Sequence, residues 1–168
     1  MSTGKRALII CIFLVIVALV LLLPDLVGKE AKPATAPQDG MIHIYVDGQF
    51  TANVIPSDLA KLSTASFEDA EEGKAQEGPT LEDVILLYVP EKDLRTDSVI
   101  NVSSPSGQGG VPKSASVTWA QAIEPSNHVL LDANRTGDAL KLVSSLPDLD
   151  TRAEWVQGVA RIDITTQP

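Results

Sequence analysis

Two histidines, one cysteine, several carboxylate clusters and one glycine-rich loop are the residues whose types and spacing could do chemistry in this chain. His43 and His128 both fall in segments that read as strands, and no G-x-S-x-G elbow sets a serine beside either, as nucleophilic hydrolysis requires. His43 has no second metal-binding group at useful spacing and reads as a surface or packing histidine. Cys11 is the sole cysteine. It lies inside an apolar run, so the chain beyond it has no internal disulfide, thiolate metal ligand or cysteine nucleophile. Glu68, Asp69, Glu71 and Glu72 form an acidic cluster, but a calcium loop needs oxygen ligands at set positions around a glycine turn and a closing bidentate Glu. That pattern is missing, and the cluster reads as a solvated hairpin edge. Asp132, Asn134 and Asp138 share the odd spacing of calcium ligands with no acid at the twelfth position, and read as a turn. Asp148 and Asp150 form at most a weak metal pair, with Arg152 nearby arguing for ion pairing.

The loop Pro105 to Pro112 carries three glycines and runs into Lys113-Ser114. A phosphate loop needs glycine immediately before the lysine, and Pro112 stands there instead, so this stretch reads as a loop bordering a pocket or a partner. A glycosidase-like carboxylate pair is compatible with so many acids, but their abundance makes any choice arbitrary. Asn101-Val102-Ser103 and Asn134-Arg135-Thr136 match the glycosylation acceptor pattern. No catalytic residue, metal ligand or cofactor-binding residue is assigned by these patterns.

The elements that must position these groups begin with a membrane anchor. Ala7 to Leu23 is a run of seventeen residues without a charge, preceded by Lys5 and Arg6. At about 1.5 Å rise per residue, continuing through Val27 brings it near the roughly 30 Å hydrocarbon thickness. The basic pair places the amino terminus in the cytoplasm and the remainder outside it. A cleaved secretory signal shares the same front, but the first A-x-A match, Ala34-Thr35-Ala36, comes about a dozen residues late. A lipoprotein site is disfavoured because Ile9 and Ile10 precede Cys11. The expected organisation is an anchor at 1–27, a flexible spacer at 28–40 rich in proline, glycine and charge, and one extracytoplasmic domain at 41–168.

The 168 residues carry a net charge of −9. From Met41 onward, nine Lys and Arg face nineteen Asp and Glu. Such a body repels nucleic acid and anionic lipid and attracts basic partners; the plainer reading is an acidic surface that keeps an exported domain soluble.

Within the domain, Ile42, Ile44 and Val46 alternate with His43 and Tyr45, and Asp47-Gly48 supplies a tight hairpin turn into Gln49 to Ile55. Pro56-Ser57-Asp58 starts a short helix through Leu59 and Leu62. Ser66 to Gln76 reads as an exposed hairpin. Thr80 caps a helix whose Leu81, Val84, Ile85 and Tyr88 share one face, with Asp83 positioned for a capping box. Val99, Ile100 and Val102 predict a buried strand, Ala115 to Val117 another, and Thr118 caps a short helix through Trp119 and Ile123. His128 to Ala133 and Ala139 to Ser144 predict a hairpin; Leu146 to Glu154 reads as a loop or short helix. In the closing strand Val159 to Thr165, Ala160, Ile162 and Ile164 lie on one face and Val159, Arg161, Asp163 and Thr165 on the other. The fold class expected is α+β, with strand-rich mixed sheets and a few short helices.

The order of these pieces resembles the molybdopterin-binding domain of the sulfite oxidase family. The resemblance rests on the opening strand with Asp47-Gly48, on Gly78-Pro79-Thr80-Leu81-Glu82-Asp83-Val84-Ile85, on Leu140-Lys141-Leu142-Val143, and on Trp155-Val156-x-Gly158-Val159-x-Arg161-Ile162-Asp163-Ile164. It implies that family's compact fold. In the family a domain cysteine ligates molybdenum and basic side chains hold the cofactor phosphate. Here Cys11 lies in the apolar run, and the domain has only Lys61, Lys74, Lys92, Arg95, Lys113, Arg135, Lys141, Arg152 and Arg161 as cations. A fold does not carry its chemistry when the site residues are missing. The expectation is therefore a non-catalytic binding or accessory domain without a cofactor, part of a membrane complex, with a partner that is extracytoplasmic or membrane-bound and basic. The alternative is a redox subunit that binds a pterin-type cofactor, such as molybdopterin, without a cysteine ligand.

Overall fold

The computed structural model describes residues 36–105, 111–134 and 139–166. The expected anchor, the first part of the spacer, the glycine-rich residues 106–110 and the turn residues 135–138 lie outside them. Among the described residues, no helix is long and apolar enough to cross a membrane.

Among the described residues, ten strands and three short α-helices form an α+β domain around one apolar core. The principal sheet has the order β2-β1-β10-β5-β6. Its strands are β1 (Ile42–Val46), β2 (Gln49–Val54), β5 (Val99–Ser104), β6 (Lys113–Thr118) and β10 (Arg161–Thr165). β1 and β2 close through Asp47 and Gly48, at φ 48° and 77°, the left-handed pair that a two-residue hairpin turn requires. The Asp47 carboxylate accepts from the Thr166 N–H at 2.8 Å and its hydroxyl at 2.6 Å, tying the turn to the end of β10. β1 and β10 pair in parallel at the centre, whereas the other pairs of this sheet are antiparallel.

The two-residue period of these strands sends Ile44, Ile162, Ile164, Ile100, Val102 and Val117 inward, each nearly inaccessible to solvent. Residues of the opposite phase face out, which corrects one expectation: Val99 lies on the outer phase of β5 and is exposed. The core is completed by α2 (Leu81–Leu86), α3 (Trp119–Ile123) and a three-stranded sheet of β7 (Leu130–Ala133), β8 (Leu140–Val143) and β9 (Val156–Gln157). Both caps form as the residue types require. Thr80 Oγ1 accepts from Asp83 N at 3.0 Å, and Thr118 and Gln121 make a full capping box. Helix α1 (Pro56–Leu59) ends at Leu59, short of the expected Leu62.

Three other expectations change. The spacer's last residues are not free of the domain, because Asn53 bonds both the Ala36 carbonyl and the Gln38 N–H at 3.2 Å. His128 is not in a strand: it has φ 47° and ends a 3-10 turn, with its ring stacked on Phe67 at 5.2 Å. The hairpin of β3 (Ala65–Glu68) and β4 (Ala75–Gly78) is not wholly solvated. Gln76 and Gly78 are buried because β4 lies against β7, and the chain just beyond it stays attached there, with Leu131 N donating to the Pro79 carbonyl at 3.0 Å.

At Gly78 a Cβ would stand 2.8 Å from the Leu131 carbonyl carbon and closer still to its oxygen. Both neighbours are main chain and cannot swing aside. Gly78→Ala is therefore expected to cost about 1–3 kcal/mol, read as a lower urea midpoint at unchanged slope; a midpoint equal to that of the parent would contradict this packing.

Candidate functional site

Two surfaces gather polar side chains. The first is the outer face of the principal sheet. Cross-strand register sets His43 beside Arg161 and Arg161 beside Ser103, which in turn neighbours Ser114. The next row runs Phe50, Tyr45, Asp163, Asn101 and Ser116. Arg161 is locked in place. Its guanidinium lies 3.8 Å from the centroid of the Tyr45 ring and forks onto Asp163 with two bonds of 2.6 Å. The same carboxylate raises the Arg161 pKa, so the group stays charged throughout the physiological range. Phe50 meets the Tyr45 ring edge-on at 5.6 Å. His43 Nε2 bonds the Gln38 carbonyl at 2.8 Å, and Asn101 Nδ2 donates to Ser116 Oγ at 2.9 Å.

A cleft of about 780 Å³ opens beside these rows, lined by His43, Asn101, Ser103, Lys113, Ser114 and Arg161 among others. Its two permanent cations are already engaged: Arg161 by Asp163, and Lys113 by the Ala153 carbonyl. A molybdopterin site of the sulfite oxidase kind needs a thiolate and cations free to take a phosphate. The residues here do not fit it. The chain's single cysteine, Cys11, lies outside the described residues, and the cleft's cations carry their own acceptors.

The second surface is an ionic network at the foot of β3 and β4. Asp69, with no exposed side-chain area, accepts from Glu72 N at 2.6 Å and from Gln76 Nε2 at 2.9 Å. Gln76 Oε1 in turn accepts from Lys141 Nζ at 2.6 Å, and Lys141 pairs with Asp132 at 3.0 Å. Arg152 reaches Glu72 at 2.8 Å and Asp69 at 3.7 Å, and its main-chain N–H donates to Glu71 Oε2 at 3.1 Å. Lys141 and Arg152 also lie over the buried Trp155 ring, 5.2 and 5.9 Å from its centroid.

This arrangement is a clamp between distant segments. It explains three of the acidic candidates: Asp69, Glu71 and Glu72 hold Arg152, with Asp69 buried and Glu71 and Glu72, like Glu68, exposed. It also corrects the pairing expected for Arg152, whose partners are these acids rather than Asp148 and Asp150. Asp132 is neutralised by Lys141, and Asn134 Oδ1 accepts from Ala139 N at 3.4 Å; Asp138 lies outside the described residues. His128 Nδ1 bonds Ser145 Oγ at 3.1 Å. Among the described residues no group of three or more His, Cys, Asp or Glu is placed to hold a metal ion. Compared with known protein families and with curated proteins, the chain matches none.

The Glu72 N–H, Gln76 and Arg152 hold the Asp69 carboxyl below the ordinary aspartate pKa, outweighing the opposite push of burial. A depressed folded-state pKa means stability that is present above the unfolded value and lost as pH falls through the folded one. Asp69→Asn is expected to lower the denaturant midpoint at pH 7, with the gap to the parent closing once the pH drops below the normal aspartate range. A gap that stays constant down to pH 2 would refute the role given to this carboxylate.

Proposed function

We propose that this protein is a membrane-anchored, extracytoplasmic, non-catalytic accessory domain on a scaffold like the sulfite oxidase molybdopterin domain, and that it binds a protein partner through the outer face of its principal sheet. The observation that supports this most is the Arg161–Tyr45 stack on the outer face of the sheet, opposite the apolar core. Tyrosine and arginine are enriched where protein interfaces concentrate their binding energy. Here both are immobilised before any partner arrives, by Asp163 on one side and Phe50 on the other. Pre-ordered side chains lose little entropy on association. The acidic balance of the domain adds attraction toward a basic partner.

The anchor at residues 7–27 would keep the domain at the membrane surface, with the amino terminus cytoplasmic. The residues at 28–35, with three charges and one proline, would serve as the tether. A second reading, a redox subunit holding a pterin-type cofactor without cysteine ligation, is favoured by the size of the cleft beside Arg161. At about 780 Å³ it falls within the range of small-molecule sites.

Two measurements on the full-length protein in its native membrane test these readings. A photo-crosslinker at Tyr45 is expected to yield a defined heteromeric product, reduced at least fivefold by Asp163→Lys. One at Glu91, outside the five strands, is expected to yield none. Equal products from both positions would defeat the sheet-face assignment. Molybdenum and extractable pterin are expected well below one per chain, and a stoichiometric amount of either would establish the redox reading instead.

A further inference from the structure

The free edge of β6 is a separate surface with its own chemistry. Trp119 N donates to the Ser98 carbonyl at 2.8 Å, which sets the phase of the β5–β6 ladder. In that phase the main-chain groups of Lys113, Ala115 and Val117 face β5, and those of Ser114 and Ser116 point away from the sheet. Among the described residues nothing on the main chain meets them. The segment opposite, 146–154, turns on itself, with Leu149 N donating to Leu146 O and Glu154 N to Thr151 O at 2.8 and 2.9 Å, and meets β6 through the Lys113 ammonium on the Ala153 carbonyl. Between strand and segment runs a groove of about 380 Å³, with Val117, Leu146 and Leu149 inside and Asp148 and Glu154 on its rim. Sheets usually blunt an edge with proline, inward charges, a bulge or a covering element. Residues 114–117 carry none of the first three.

We infer that this edge accepts a basic, extended segment of a partner protein as an added strand. The inference rests on the reading of the domain as a protein-binding module and names how one partner segment would be recognised. Main-chain bonds to Ser114 and Ser116 supply sequence-independent attachment, and alternate side chains of the incoming strand enter the groove. Charge selects the occupant. Asp148 is exposed and has no ion-pair partner among the described residues, and Glu154 stands near it. Lys113 is the cation of the lining and is held on the Ala153 carbonyl; against it stand the two carboxylates Asp148 and Glu154, so the lining is acidic in balance. A second copy of this chain would bring the same acidic rim and a net charge of −9 against it.

The test uses the full-length protein in detergent and three fluorescein-labelled heptapeptides. The first alternates Lys with Val and Thr; the second has Glu in place of each Lys; the third is the first with alternate main-chain nitrogens methylated. The basic peptide is expected to bind saturably by anisotropy, more weakly as salt rises, and at least tenfold more tightly than either of the other two. Asp148→Lys and Ser116→Pro are each expected to weaken it at least fivefold. The Ser116 N–H points away from the ladder, so proline there removes no main-chain β5–β6 bond and only the side-chain bond from Asn101, and the methylated peptide tests the same point on the unaltered protein. Equal binding of the basic and methylated peptides, equal binding of the acidic one, or a dimer dissolved by Ser116→Pro would overturn the inference. Absence of peptide binding while the Tyr45 crosslink persists would sink the edge assignment alone. Loss of that crosslink with peptide binding intact would instead remove the sheet face as the interface.

Discussion

The parallel pairing of β1 with β10 is the constraint on which the remainder of the domain depends. It joins His43 to Arg161 and Val46 to Ile164 across most of the folded chain, and it places Ile44 and Ile162 side by side in the core with no exposed area. Without it the β1–β2 hairpin has no sheet to join, and an isolated hairpin is marginal in water. Closing so long a loop costs entropy before it returns any burial. The bonds from Thr166 to the Asp47 carboxylate sit at the end of this pair and draw that carboxyl's pKa down. The last turn of the seam is therefore fastened by a charge-assisted contact where apolar burial has run out.

A centre built this way divides the sheet into two unlike faces. The inner face is filled by isoleucine and valine and covered by the helices and the smaller sheet. The outer face repeats the same strands in opposite phase and presents His43, Tyr45, Arg161, Asp163, Asn101 and the serines of β6. Nothing in the alternation of residues requires Arg161 to stack on Tyr45; the parallel register allows it, by setting Arg161 opposite His43 and Asp163 opposite Tyr45, so that the arginine lies diagonal to the tyrosine. The core and the polar outer face thus draw on alternate residues of the same five strands, so the outer face inherits the rigidity of the core beneath it.

The ionic clamp solves a different problem. The β3–β4 hairpin has few large apolar residues to bury, and Phe67, its one aromatic, packs against the core. Its attachment comes from Gly78, which lets β4 approach the β7 main chain, and from Asp69, Gln76 and Glu72, which reach Lys141 and Arg152 above Trp155. Burying a carboxylate is costly unless hydrogen bonds replace its water. Asp69 meets that condition by accepting from a main-chain amide and a glutamine while facing a guanidinium.

Rules that act over a few residues were readable from the order of amino acids. Asp47-Gly48 could only be a tight turn between alternating segments, Thr80 and Thr118 could only be caps before their apolar faces, and Ile162 and Ile164 had to point away from Arg161 and Asp163. The α+β class followed from those local choices. Side-chain partnerships did not follow. Arg152 stands next to Asp148 and Asp150 in the chain yet pairs with acids some eighty positions earlier. His128 resembles the start of a strand yet occupies a left-handed turn set by its neighbours. Whether Ser114 and Ser116 lie on an inner strand or a free edge depends on which strands assemble beside them. Backbone preference is settled by near neighbours and is written in spacing. The partner of a charge, and the exposure of a strand's edge, are settled by long-range closure, which spacing does not encode.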